Sequence, residues 1–205
     1  MVTPFGDDGA LDLDAAATLA RWLVDHGSDG VVIAGTTGES PTLTVSEQVD
    51  LFGAVRAAVD CPVIAGAGSN DTAAASAMHR AASEAGVDAI LSVTPYYNRP
   101  SQDGLYEHFK AAAASTDLPV MLYDIPVRTG RKIDTATLLR LFDDVANIVA
   151  VKDAAGNPAE TARLIAEAGD RVEVYSGDDA MTLPLLAVGA VGVVSVASHW
   201  VGPEM

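Results

Sequence analysis

The stretch from Asn147 to Gly156 reads Asn-Ile-Val-Ala-Val-Lys-Asp-Ala-Ala-Gly: four apolar residues, then one lysine, Lys152, then Asp153 and a glycine that turns the chain away. An ammonium held at the mouth of an apolar core is poorly solvated, which lowers its pKa and leaves more free amine. That is the property an imine-forming nucleophile needs. The plain alternative is a lysine neutralised by Asp153 or Glu39. Residues that could work with an amine stand at the ends of other apolar runs. Thr36 and Thr37 lie in Gly35 to Ser40, Tyr97 in Thr94 to Pro100, Tyr123 and Arg128 in Tyr123 to Gly130, and Gly177 in Ser176 to Asp179. Each has a structural reading of its own. The threonines could bond only their own turn, Tyr123 could be a satisfied core phenol, Arg128 a surface residue, and Asp178 and Asp179 helix caps. Taken jointly they offer a nucleophile, an acid/base and an anion cradle.

The elements that must carry these residues recur in units of roughly 25 to 30 residues: an apolar strand, a polar or glycine-containing loop, an Ala/Leu-rich helix and a closing glycine. Strands are expected over 30–34, 62–65, 89–93, 119–122, 148–151, 172–175 and 191–196, with the stub of an eighth at Val2 to Phe5. Gly27, Gly86, Gly169 and Gly189 are placed to close helices. Thr44 with Glu47 fits a capping box, and Asn157 before Pro158 and Glu160 a second helix start. Leu19, Trp22 and Leu23, like Val49, Phe52 and Val55, recur at helical spacing and mark packing faces. Apolar, β-branched strands alternating with helices predict a parallel sheet covered by helices. Seven or eight units without a dinucleotide glycine motif favour an α/β (β/α)8 TIM barrel over an open doubly wound sheet, and in a barrel chemistry gathers where strands finish.

Composition narrows the partners. The 205 residues are 49% hydrophobic and 20% charged, which predicts a soluble globular chain. With 28 acidic against 12 basic residues the formal charge is −16, a surface that repels nucleic acid and anionic membranes. No apolar run approaches the roughly 18 residues of a membrane helix, and the first residues lack a signal-peptide layout, so a cytoplasmic location is expected. The single cysteine, Cys61, is expected to be a packed core thiol. His26, His79 and His108 fall on or at the ends of helices and only His199 follows a strand, so no metal site is expected, and covalent amine chemistry is favoured over Lewis-acid chemistry.

Gly35-Thr-Thr-Gly-Glu-Ser40, Thr94-Pro-Tyr-Tyr-Asn-Arg-Pro100, Tyr123-Asp-Ile-Pro-Val-Arg-Thr-Gly130, Val151-Lys-Asp153 and Ser176-Gly-Asp-Asp179 together resemble the dihydrodipicolinate synthase family, also called 4-hydroxy-tetrahydrodipicolinate synthases, within the pyruvate-dependent class I aldolase superfamily. The resemblance covers essentially the whole chain, in order. It implies that Lys152 attacks the ketone of pyruvate to form an imine, with no cofactor. It further implies that Tyr123 carries protons, linked to Thr36 and to Tyr97 from a neighbouring subunit. Thr37 would hold the pyruvate carboxylate, Arg128 the carboxylate of aspartate 4-semialdehyde, and backbone groups of Gly177 and Val194 would line the pyruvate pocket. Arg128 is what separates these synthases from N-acetylneuraminate lyase and 2-keto-3-deoxy sugar-acid aldolases, the alternative enzymes. A barrel fragment that binds a keto acid without turning it over is the alternative outside enzymes.

The resemblance also implies a homotetramer built of tight dimers and a C-terminal helical domain. Residues 1–205 then form a single barrel domain, truncated at both ends and incomplete after its eighth strand. Two positions depart from the family's usual pattern: Asp124 stands where many members have Asn, and Val127 where many have Ser or Gly. Members inhibited by lysine use a His and an acid at a subunit interface, and the matching positions here are Val45 or Gln48 and Ala74. Insensitivity to lysine is therefore expected.

Overall fold

The computed structural model describes residues 1–205. Seven parallel strands form one sheet in chain order: β1 (Val31–Ile33), β2 (Val63–Gly66), β3 (Ala89–Val93), β4 (Val120–Asp124), β5 (Ile148–Asp153), β6 (Glu173–Ser176) and β7 (Gly192–Val193). The helices are α1 (Leu13–Asp25), α2 (Val45–Ala58), α3 (Thr72–Glu84), α4 (Gln102–Ala113), α5 (Pro126–Thr129), α6 (Thr135–Asp144), α7 (Pro158–Ala168), α8 (Thr182–Ala187) and α9 (Ser198–Val201). Sequential parallel strands joined by crossover helices make the curled sheet of a (β/α)8 barrel, with seven of its strands laddered.

The segment Val2 to Phe5 corrects the expectation of an eighth strand. Its one bridge is antiparallel, Phe5 to Leu11. It nonetheless runs beside β1, where the Met1 nitrogen donates to the Val32 carbonyl and Thr3 Oγ1 to the Gly38 carbonyl at 2.6 Å. The last expected strand, 191–196, also shrinks to Gly192–Val193, although Val194 N still donates to Ser176 O at 2.8 Å. Two other strands run longer than their apolar cores suggest. β4 extends through Tyr123 to Asp124 and β5 through Lys152 to Asp153, because the pairs Tyr123/Lys152 and Asp124/Asp153 continue the ladder in register.

The caps expected from sequence form. Thr44 and Glu47 make both bonds of the capping box on α2, and the Asn157 side chain accepts from Glu160 N at the start of α7. Gly27, Gly86, Gly169 and Gly189 all have positive φ, the left-handed turn that lets a helix end without a Cβ clash.

The core has two compartments because strand side chains alternate between faces. Outward-facing residues such as Ile33, Ala65, Ile90, Val120, Ile148 and Val174 pack with Phe52, Leu105, Phe109, Leu141 and Leu164 of the helices in a cluster of 35 buried residues. Each fully buried large side chain there stabilises the fold by about 1.5–3 kcal/mol. The inner cluster is small: Leu91, Met121 and Ala150, with Val32, Ile64, Tyr123, Tyr175 and Val194 packed on it. Cys61 is only partly buried at the edge of the outer cluster, not a full core thiol, since it precedes the strand rather than lying in it.

Candidate active site

The inner row at the carboxyl end of the sheet runs Val93, Tyr123, Lys152, Tyr175 and Gly192, each paired in register with the next. Lys152 and Tyr123 are therefore neighbours on adjacent strands, facing the barrel interior above the apolar floor of Leu91, Met121 and Ala150. The Lys152 Nζ sits 4.2 Å from the centre of the Tyr123 ring, a cation–π distance. The electronegative ring face is what offsets part of the cost of bringing an amine into this position.

Lys152 forms no ion pair. Asp153, its neighbour in sequence, points to the opposite face, where its carboxylate accepts from Thr161 Oγ1 at 2.6 Å and Ala155 N at 2.8 Å, and Glu39 lies on an exposed turn. The alternative of a lysine neutralised by either acid is thus set aside by geometry. The pKa of Lys152 falls from its usual value to about 8, first through burial and then through the positive charge of Arg128, with Asp179 pulling the other way. Burial also raises the pKa of Tyr123, opposed by the same Arg128. The guanidinium on α5 therefore acts on both members of the pair.

Gly177 follows β6 and closes over the lysine. A Cβ there would lie 2.9 Å from Lys152 Cε and 3.0 Å from its Cγ, so any side chain at this position would have to displace the stem of the lysine. Its amide donates to the Asp153 carbonyl at 2.8 Å, which ties the loop to β5. Val194, like Tyr123, packs on the inner cluster. Asp178 caps the next turn through Ala180 N at 2.9 Å, as expected. Asp179 is a charge on the lysine that sequence alone does not assign; its place directly after the glycine loop is the signal.

Thr36 and Thr37 occupy the exposed loop after β1, and Arg128 the exposed turn α5. Within the single chain, neither Thr36 nor Tyr97 is hydrogen-bonded to the Tyr123 hydroxyl; the Thr94 hydroxyl and amide bond the Tyr123 carbonyl instead, at 2.9 and 3.0 Å. Tyr97 is 91% exposed, with its amide donating to Thr129 O at 3.2 Å.

The four non-glycine residues with left-handed backbone are Ala34, Glu39, Tyr97 and Arg99. All stand on two loops, those after β1 and β3, that rim the same end of the sheet as Lys152. Such conformations cost about 1–3 kcal/mol each and persist where surrounding contacts hold them, commonly at functional sites. Here Asn70 Nδ2 donates to Tyr96 O at 3.2 Å and Asn98 Nδ2 to Asn70 O at 3.0 Å, bracing the second loop against its neighbour.

The model of the "Dihydrodipicolinate synthetase family" matches residues 1–205. A 4-hydroxy-tetrahydrodipicolinate synthase of Moorella thermoacetica is 56% identical over 207 residues, a match covering 100% of this chain and 70% of that protein. The crystal structure of dihydrodipicolinate synthase DapA-2 from Bacillus anthracis is similar with a TM-score of 0.97 at 51% identity, covering 100% of this chain and 70% of that one. That of the synthase from Cyanidioschyzon merolae, solved with lysine bound, has a TM-score of 0.97 at 49% identity, covering 100% and 70%. A match along every residue, on a fold that places an unpaired amine beside a phenol, makes the chain a member of the dihydrodipicolinate synthetase family of enzymes.

Proposed function

We propose that this protein condenses pyruvate with L-aspartate 4-semialdehyde through an imine on Lys152, giving 4-hydroxy-tetrahydrodipicolinate for lysine and diaminopimelate biosynthesis. The observation that carries the reading is the half-buried, unpaired Lys152 amine 4.2 Å from the Tyr123 ring, with Arg128 electrostatically coupled to both. The free amine attacks the keto carbon of pyruvate, and the carbinolamine loses water to give the imine. Loss of a methyl proton then gives an enamine. Its carbon adds to the aldehyde of the second substrate, and Tyr123 passes the protons. The amino group of the new chain attacks the imine carbon, closing the ring and expelling Lys152.

Thr37 and the backbone of Gly177 and Val194 hold pyruvate, and the planar fork of Arg128 takes the carboxylate of the semialdehyde. Thr36 and Tyr97 complete the proton path. Tyr97, 91% exposed on its own chain, reaches into the site of a neighbouring subunit, which requires at least a dimer; the working form is a homotetramer of such dimers, in the cytoplasm.

The test is substrate choice. Turnover is expected with pyruvate and aspartate semialdehyde and not with N-acetylneuraminate or 2-keto-3-deoxygluconate; the reverse preference overturns the reading. Arg128→Ala should lower kcat/KM for the semialdehyde roughly 10- to 100-fold, the worth of one charged hydrogen-bonded contact. Pyruvate trapping by Lys152 should change by less than about threefold, within what the lost Arg128 charge does to the amine.

Gly177→Ala forces the lysine stem aside, since its new methyl would stand 2.9 Å from Cε. Borohydride trapping of pyruvate should slow about tenfold or more, as expected when a nucleophile moves by a fraction of an ångström. Feedback by lysine is expected to be absent. Val45 and Ala74 are exposed and carry no charge, and the Gln48 amide is engaged with the Ser40 carbonyl at 3.0 Å. An inhibition curve falling to near zero activity at millimolar lysine would refute this.

A further inference from the structure

Directly behind the reacting pair lies a second pair that the chemistry above does not use. β4 and β5 present Tyr123 and Lys152 to the interior, and one residue later Asp124 and Asp153, again in register, to the helices. Asp124 is 2% exposed and Asp153 8%. Two carboxylates buried side by side repel unless a cation compensates them. Lys132, in the loop between α5 and α6, supplies it. Its Nζ lies 3.6 Å from Asp124 Oδ2 and 3.0 Å from Glu160 Oε2 on α7.

The other acid oxygens are held by neutral donors. Ile133 N donates to Asp124 Oδ1 at 3.2 Å, while Ala155 N and Thr161 Oγ1 serve Asp153. The groups surround a cavity of about 10 Å³, at the lower limit for a single water; the two aspartates are shielded from solvent, while the Lys132 and Glu160 side chains stay 32% and 47% exposed. Burial raises the Asp124 pKa to about 6 against the pull of Lys132 and with the push of Asp153. The cluster ties β4, β5, the loop before α6, and α7 together one residue beyond the amine and the phenol.

Resting on the proposed imine chemistry, we propose that Lys132 is a positioning residue: by bridging Asp124 and Glu160 behind the sheet it holds the ends of β4 and β5 together and so sets the distance between Lys152 and Tyr123. Without the ammonium, Asp124 and Asp153 face each other uncompensated. Asp124 relieves part of that repulsion by taking up a proton; while both acids are ionised, the relief left is for the two strand ends to part, which separates the amine from the phenol on the other face.

The test compares wild type, Lys132→Met, Asp124→Asn and the double variant in steady-state kinetics and in the rate of borohydride trapping with pyruvate. Lys132→Met is expected to lower kcat and the trapping rate about tenfold with KM for pyruvate changed less than about twofold, the mark of misplaced groups rather than lost binding. Adding Asp124→Asn removes the repulsion and should return kcat to within about threefold of wild type. A Lys132→Met protein with a lower Tm but wild-type kcat and trapping rate overturns the proposal, as does a double variant no faster than Lys132→Met. Should Lys132→Met not fold, Asp124→Asn and the double variant decide: kcat values equal within about threefold support the proposal, and a further tenfold loss in the double variant overturns it. Failure of the wild type to trap pyruvate would instead refute the imine reading itself.

Discussion

Lys152→Met is expected to abolish condensation, with kcat at least ~10⁴-fold down, as when the nucleophile of a covalent mechanism is removed, and to leave no borohydride adduct with pyruvate. The fold should not suffer. Methionine fills the same space above Leu91, Met121 and Ala150 without an amine to desolvate. The pKa of Lys152 falls on folding to about 8. A lysine of that kind opposes folding below its folded-state pKa, and the penalty fades as pH rises from there toward the unfolded value. The variant should therefore melt above wild type at pH 7 and lose that advantage between about pH 8 and about pH 10.5. Thermal melts across that range check the sign, and a variant that melts below wild type at pH 7 contradicts the burial argument.

Tyr123→Phe keeps the ring and removes only the hydroxyl. The predicted loss is about 10²- to 10³-fold in kcat, the usual worth of a positioned proton carrier. The lysine keeps the aromatic face at 4.2 Å and the charge of Arg128, so trapping of pyruvate should persist, slower, with its pH midpoint still near 8. Retention of the imine with loss of condensation separates proton transfer from nucleophilic attack. Wild-type kcat in this variant would remove Tyr123 from the mechanism.

The barrel was legible because each unit repeats the same local physics: an apolar β-branched run, a cap such as Thr44 or Asn157, and a closing glycine at 27, 86, 169 or 189. The weak edges were not. Val2 to Phe5 and residues 194–196 carry strand-like composition but find little to pair with, and composition alone cannot report a missing neighbour. At the site, Lys152, Tyr123 and Gly177 come together because alternation along strands fixes which face each side chain takes. Thr36 and Tyr97 stand on loops whose left-handed residues no periodicity encodes, and they stay apart from the Tyr123 hydroxyl within one chain. The Asp124, Lys132 and Asp153 cluster was invisible for another reason. An acid after each reacting residue looks like a solvated loop until the strand is seen to continue through it.

Borohydride reduction in the presence of pyruvate, read by peptide mass spectrometry over a pH series, tests the central claim most directly. An amine with a pKa near 8 has roughly two hundred times more free base at pH 7.5 than an ordinary lysine. The expected result is one adduct, on Lys152, adding the mass of pyruvic acid less one oxygen, whose formation rate climbs with pH through a midpoint near 8. No added mass on Lys152, or adducts spread over the surface lysines with a midpoint near that of a free lysine, would contradict it.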